Sequence, residues 1–394
     1  MVADVDQSGV VSFARDLART PSVSGAERDA VELAAARFRA LGFDNVEIDR
    51  VGNAVGYLGS GQSPRLLIDG HIDSIPLHSP RRWTVDPFGG EIIDGSLFGL
   101  GVCDQKASIA AAAYGLAAQH RASALRGTVA LVASVCEEAV EGAALAPAVE
   151  RFAPDMAITT EPSDTRLCIG QRGRARLWAR ITGRASDAGH AGEGLNAAEA
   201  LAAMIVSVRE QKRPAHPGLG QRDITCIDIA SVPYPSAATV PGEALARFDC
   251  RALPGEDADS LLAILRESAA AGLSDWPEQP EVEVGVANAE CTTWTGEHFA
   301  APVLEAAWWT DEDSPVVTAA QTALTAAGLE PSPAYYSLST NGSYLAGVAG
   351  IPTIGFGVGD ERAAHQIDEY VTLDSLRRGA RGFAALAAQL AGGG

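Results

Sequence analysis

Apolar positions in the first 160 residues switch repeatedly between two periods, and the switches predict alternating helices and strands. VVSFARDLAR (10–19) and ERDAVELAAARFRALGF (27–43) carry apolar residues three and four apart, which is the spacing of one helical face. The segment 22–27 between them reads as a loop with a capping residue. NVEIDRVGNAVGYLG (45–59) reads as a hairpin around Gly52-Asn53, and it leads to the apolar run Leu66, Leu67, Ile68, a short buried strand. Residues 107–118 form an alanine-rich helix, GTVALVASV (127–135) a strand, 143–152 a helix and DMAITTE (155–161) a strand. Strands separated by helices predict an open parallel sheet, which gathers its functional residues at the carboxyl ends of the strands.

Near Arg176 the rhythm changes. ARLWARITG (175–183) alternates strictly, as a half-buried strand does; 196–211 is an amphipathic helix, DITCIDIASV and ALARFDCRAL are strands, 258–272 is a helix and EVEVGVA a strand. The order βαββαβ predicts a ferredoxin-like unit inserted into the α/β domain. Helix 314–328, strand TIGFGV (353–358) and helix 373–391 then resume the first pattern. The expected organisation is an α/β/α sandwich from 1–175 and 294–394, interrupted by a second domain over 176–293. A frayed tail is expected at Gly392, Gly393 and Gly394.

Composition narrows what such a chain can be. Hydrophobic residues make up 47% and charged residues 20% of the 394, ordinary values for a globular protein. A formal net charge of -20 argues against nucleic acid or an anionic membrane as partner. No apolar run approaches the roughly 18 residues of a membrane span, and the N-terminus lacks a basic region followed by an apolar core, so an unexported, cytoplasmic protein is expected. The six cysteines show no CxxC spacing, so neither a zinc knuckle nor a disulfide framework is indicated, and Cys103 and Cys136 read as small apolar fillers.

Chemistry concentrates at the predicted strand ends. His71 and Asp73 follow the first buried strand; an imidazole held by a carboxylate suits a metal ligand, although HxD alone is more often a satisfied loop histidine. Asp104 sits in a glycine-rich turn, Glu137 and Glu138 end the next strand, Glu161 ends the third, and His365 follows the last. In isolation the Glu137-Glu138 pair is a solvated acidic turn. Together, His71, Asp104, Glu138, Glu161 and His365 supply enough nitrogen and oxygen donors for two divalent ions if one carboxylate bridges. Zinc is the first expectation, with cobalt or manganese as alternatives. Glu137 then remains as the general base for a water shared by the two metals.

Several stretches, in order and over nearly the whole chain, carry a family resemblance: GHIDSIP, WTVDPFGGEIIDGSLFGLG before VCDQK, EEAVEG, TTEP, FDCRALPGE, and IPTIGFGVG with AAHQIDEY. The chain resembles the two-zinc exopeptidases and deacylases that include aminoacylase, acetylornithine deacetylase, succinyl-diaminopimelate desuccinylase and glutamate carboxypeptidase. The resemblance implies a zinc-peptidase-like catalytic domain and a lid that forms a homodimer. It also implies one metal on His71 and Glu161, another on Glu138 and His365, Asp104 bridging, and a cis peptide at Asp104-Gln105. Asp73 would orient His71, Arg251 would clamp the substrate carboxylate and Asn341 in the STNG turn would line the site; the guanidinium of Arg174 either joins that clamp or forms a salt bridge at the hinge.

The lid departs from the family pattern. Relatives carry a histidine about nine residues before an asparagine-alanine helix start, and that position is Asp187 here; His190, three residues on, is the expected oxyanion donor. Ala238 stands where an asparagine is common. The expected activity is hydrolysis of an amide bond in a small substrate with a carboxylate, an N-acyl amino acid or dipeptide. The alternatives are a carbamoyl, lactam or aromatic-amine C–N bond on the same metals, or a relative that only binds its ligand.

Overall fold

Leu66, Leu67 and Ile68 are apolar in succession because the strand 65–71 is buried on both faces, as the central strand of a parallel sheet must be. A computed structural model describes residues 3–59 and 61–392; the predicted frayed ends Gly393 and Gly394 lie outside them. In chain order the first part contains helices α1 (Gln7–Ala18) and α2 (Arg28–Ala40), then strands β1 (Asn45–Ile48), β2 (Ala54–Gly59) and β3 (Arg65–His71). Helix α3 (Ala107–Arg121), β4 (Thr128–Ser134), α4 (Ala146–Phe152), β5 (Met156–Thr159) and β6 (Leu167–Gln171) follow. The inserted part holds β7 (Gly173–Thr182), α5 (Ala197–Glu210), β8 (Asp223–Val232), β9 (Glu243–Ala252), α6 (Ala258–Gly272) and β10 (Glu281–Val286). The chain then supplies β11 (Trp308–Trp309), α7 (Pro315–Ala326), β12 (Pro333–Tyr336), β13 (Thr353–Gly355) and α8 (Leu373–Leu390).

The first unit comprises Met1–Gln171, Glu290–Ala301 and Trp308–Gly394. Its sheet runs β1-β2-β4-β3-β5-β13-β6-β11, with β12 beside β6. The four strands β4, β3, β5 and β13 are mutually parallel neighbours, so their carboxyl ends lie side by side. Helix α3 is buried along 107–119 because alanine and glycine let it approach other backbones closely. A Cβ at Gly115 would stand 2.5 Å from the carbonyl oxygen of Ala380 in α8. Strands β6, β11 and β12 extend the sheet beyond what periodicity predicts.

The second unit comprises Arg172–Ala289 and Pro302–Ala307. Its sheet has the order β8-β9-β7-β10, antiparallel throughout, which is the ferredoxin-like arrangement of the βαββαβ pattern. Strict alternation explains it: Ala175, Leu177, Ala179 and Ile181 of β7 and Ala244, Ala246 and Phe248 of β9 are buried with Leu201, Met204, Leu261 and Leu265 of the two helices. Asn196 caps α5 by accepting the N–H groups of Ala198 and Glu199, and Asp257 and Ser260 form a capping box on α6. The boundaries differ from those expected, since the segment Glu290–Ala301 belongs to the first unit while Pro302–Ala307 returns to the second.

Candidate metal centre

Parallel register brings His71, the last residue of β3, level with Ser134 of β4, while Asp69 faces Thr159 of β5. The residues after each strand therefore converge. His71 Nε2 lies 3.0 Å from Asp104 Oδ1, 3.8 Å from Glu137 Oε2 and 3.9 Å from Glu161 Oε1. His365 Nε2 lies 2.9 Å from Glu138 Oε1 and 3.3 Å from Asp104 Oδ2. The two oxygens of Asp104 thus face different histidines, and the two adjacent glutamates reach different sides. The Asp104-Gln105 peptide is cis.

Two devices aim these groups. Cys136 has φ 57°, a left-handed conformation that turns the chain sharply before Glu137. Asp73 then accepts the backbone N–H of Glu137 (3.2 Å) and of Glu138 (3.1 Å), and a hydrogen bond from Ser24 Oγ (2.6 Å). Its Oδ1 is 3.5 Å from His71 Nδ1, while the Asp73 carbonyl oxygen is closer to that nitrogen, at 3.1 Å. Asp73 therefore fastens the histidine, through its carbonyl oxygen, and the glutamate pair, through its carboxylate, to one residue. On the Glu161 side, a Cβ at Gly357 would stand 2.2 Å from the carbonyl oxygens of Thr160 and Glu161, so only glycine permits that approach.

Electrostatics mark the cluster as a cation site. Burial pushes the carboxyls of Glu137, Glu138 and Glu161 upward, and neighbouring carboxylates reinforce this at Glu137 and Glu161. For Asp104 burial acts in the same direction, but its bond to His71 holds it below its ordinary value. Burial disfavours protonation of His71, yet Glu137, Asp104 and Asp73 hold its pKa well above normal; the bond to Glu138 raises that of His365 to about 9. Among the described residues no lysine or arginine is ion-paired with Asp104, Glu137, Glu138 or Glu161. His71, Asp104 and Glu138 present donor atoms within 4.8 Å of one another, as do His71, Glu137 and Glu161. Buried carboxylates and imidazoles without a fixed cation are a donor set that fits divalent metal ions.

The remaining predicted residues have other partners. Asn341 is buried, donating to Asp69 Oδ2 (2.8 Å) and accepting from Gly142 N (2.7 Å), so its amide supports the loop that carries the glutamates. In the second unit, Arg251 Nε is 2.8 Å and Arg174 Nε 3.4 Å from the two oxygens of Asp249. No hydrogen bond of their terminal nitrogens is made among the described residues. Asp187 accepts the N–H of Gly189 (2.8 Å), and His190 is exposed without a hydrogen-bond partner among the described residues.

Sequence reasoning missed three supports. Glu27 accepts the N–H groups of Gly25 and Cys136, and Glu369 accepts those of the turn before Asp104. Cys136 and Cys291, 155 residues apart, form a disulfide, correcting the expectation that the cysteines carry no disulfide and that Cys136 is a small filler. Segment Glu290–Ala301 folds back on the first unit and brings Cys291 to the end of β4, a placement that spacing along the chain does not encode. For Glu369 a signal existed in its place four residues after His365.

Residues 67–389 match the model of peptidase family M20/M25/M40. The uncharacterized protein YgeY of Escherichia coli (strain K12) is 29% identical over 370 residues, covering 92% of this chain and 90% of that protein. A succinyl-diaminopimelate desuccinylase of Rhodospirillum centenum is 32% identical over 284 residues, covering 65% and 71%. Among solved structures, the Bacillus subtilis YXEP protein, described as a dinuclear metal-binding peptidase of the M20 family, superposes with a TM-score of 0.71 at 15% identity, covering 97% of both chains. None of the helices described is long and apolar enough to cross a membrane. With a family model spanning most of its length over a fold that gathers two histidines and several carboxylates near four parallel strand ends, the chain belongs to peptidase family M20/M25/M40 and is a hydrolase of C–N bonds of the peptidase and deacylase type.

Proposed function

We propose that the protein cleaves the amide bond of a small carboxylate-bearing substrate, an N-acyl amino acid or a dipeptide, using two divalent ions. His71 and Glu161 would hold one ion and Glu138 and His365 the other, with Asp104 available to both. The observation that carries this reading is the Asp104 carboxylate, whose two oxygens lie 3.0 Å and 3.3 Å from two different histidine nitrogens. Divalent ions, zinc first among them, would polarise the substrate carbonyl and lower the pKa of a water toward about 7. Glu137 takes the proton of the attacking water and delivers it to the leaving nitrogen. His190 donates to the oxyanion, and Arg251 and Arg174 bind the substrate carboxylate through terminal nitrogens that Asp249 leaves available.

A homodimer formed through the second unit is part of this reading. Strand β8 is a sheet edge with exposed Ile227 and Ile229, a template for pairing with another copy. Asp187, where relatives carry histidine, favours as the second reading a different C–N bond, because an aspartate repels a developing oxyanion.

The test is amine release from a set of N-acyl amino acids and dipeptides by zinc-loaded protein and its Glu137→Gln variant. The parent is expected to turn over at least one of them, and the variant to lose about 10²- to 10⁴-fold in kcat while keeping its zinc. A folded, zinc-loaded parent without turnover moves the activity to carbamoyl, lactam or aromatic-amine substrates. Equal turnover by the variant removes Glu137 as the base.

A further inference from the structure

The turn that presents Asp104 has almost no regular structure to hold it. Gly101 has φ 75°, and Asp104 (φ -118°, ψ 88°) and Gln105 (φ -139°, ψ 35°) are non-helical although α3 starts just beyond. Its backbone donors can be followed one at a time, since a buried N–H without an acceptor is costly. Val102 N donates to Gly99 O (3.2 Å) and Lys106 N to Gly101 O (3.0 Å). The N–H groups of Gly101, Cys103 and Asp104 all go to one side chain, that of Glu369. Its Oε2 accepts from Gly101 (2.9 Å), and its Oε1 from Cys103 (2.8 Å) and Asp104 (3.1 Å). The Glu369 carbonyl oxygen accepts Gly99 N at 3.0 Å, so the same residue grips the turn at both ends.

Glu369 is 1% exposed and cannot be reaching for solvent. It belongs to the loop that carries His365, where His365 (φ 59°) and Asp368 (φ 58°) both adopt left-handed backbone. Asp368 anchors that loop by accepting from Thr84 N (2.8 Å) and Thr84 Oγ1 (2.7 Å). The loop of one histidine is thereby fastened to the turn of the carboxylate that touches both histidines.

We infer that Glu369 is a positioning residue of the metal centre: by taking three N–H groups of the 101–104 turn it fixes the Asp104 carboxylate between His71 and His365 and so sets the affinity for the second ion. This rests on the two-ion reading above. Glutamine at 369 has nearly the same shape but only one acceptor oxygen. Either Gly101 or the Cys103–Asp104 pair then faces an amide NH₂ instead of an acceptor, and the turn shifts.

The experiment titrates zinc alone, by competition with a chromophoric chelator, into metal-free parent, Glu369→Gln and Glu369→Asp proteins, beside thermal unfolding of the metal-free forms. The parent is expected to bind two ions. The glutamine variant is expected to keep the first ion and bind the second about 10- to 100-fold more weakly, as removal of an outer partner of a metal ligand does. Its kcat should fall with KM little changed, and the first ion's affinity should stay at the parental level even though the orphaned N–H lowers metal-free stability. Glu369→Asp keeps both oxygens on a shorter stem and is read in the same way if the glutamine variant does not fold. Two ions bound by E369Q as tightly as by the parent overturn the inference, as does a loss of affinity that only mirrors a loss of metal-free stability. A parent that binds no zinc overturns the two-ion reading itself, and the role of Glu369 with it.

Discussion

Glu27 is a buried carboxyl with one oxygen in use. Its Oε1 accepts from Gly25 N (2.8 Å) and Cys136 N (3.1 Å), whereas Oε2 is buried without a partner. Burial, assisted by Asp73, pushes its pKa from 4.5 to about 7. Between those values the folded protein holds a proton that the unfolded chain has released, so stability must fall as pH rises through that window. Glu27→Gln keeps the accepting oxygen and removes the titration. Unfolding temperatures of parent and variant at about pH 5 and about pH 8 should show a shallower decline in the variant; identical slopes would acquit Glu27. Among the residues that converge at the centre, His71, Glu137, Glu138 and Glu161 were legible because each closely follows an apolar run, and Asp104 and His365 because they lie in a glycine-rich turn and a loop between such runs. Glu27, Asp69 and Glu369 were not, since a carboxylate whose partners are distant in sequence, backbone N–H groups for Glu27 and Glu369 and the Asn341 side-chain amide for Asp69, leaves no periodic trace.

At the scale of elements, periodicity located the helices and the parallel core strands well. It missed β6, β11 and β12, for distinct reasons. Strand β6, LCIGQ, is buried throughout and ends in Gln171, whose amide bonds to Ser343 Oγ (2.7 Å) and to Thr340, so neither alternation nor an apolar run betrays it. Strand β11 is only two residues long, and β12 begins with a proline. The second unit was the more readable because its sheet has one buried face, which enforces strict alternation. Strand β8 breaks that rule at Ile227, which sits at the register shift between Cys226 and Asp228, and at Ile229 just beyond it, and both are exposed. If this edge pairs with a second copy, Ile229→Lys should convert a dimer to a monomer in sedimentation velocity while zinc content stays at the parental level. An unchanged sedimentation coefficient would place the dimer contact elsewhere, and a parental monomer would dismiss the dimer.

For the whole molecule, the insertion itself was visible in the change of rhythm near Arg176, but its far boundary was not. The chain passes between units at 171/172, 289/290, 301/302 and 307/308, and short segments that change allegiance carry too few residues to show a period. One of them bears Cys291. It is fastened to the first unit by Trp294 Nε1, which donates to Gly52 O (3.1 Å), by Thr295 Oγ1 on Arg50 O and Val51 O (both 3.0 Å), and by the bond to Cys136. Cys136 immediately precedes Glu137, so the thiol state of the surroundings becomes a variable of the reaction rate. A phosphine reductant splits the disulfide into two thiols and leaves as its oxide, taking oxygen from water. The expected outcome is a fall in kcat of about tenfold at unchanged zinc content, short of the roughly 100-fold that a 1 Å misplacement of a catalytic group can cost. A C136S/C291S double variant should start at that lower rate and ignore the reductant; a parent equally indifferent would reduce the bond to a passive staple. Should the rate fall as expected, the enzyme has two speeds, and the redox state of its surroundings selects between them.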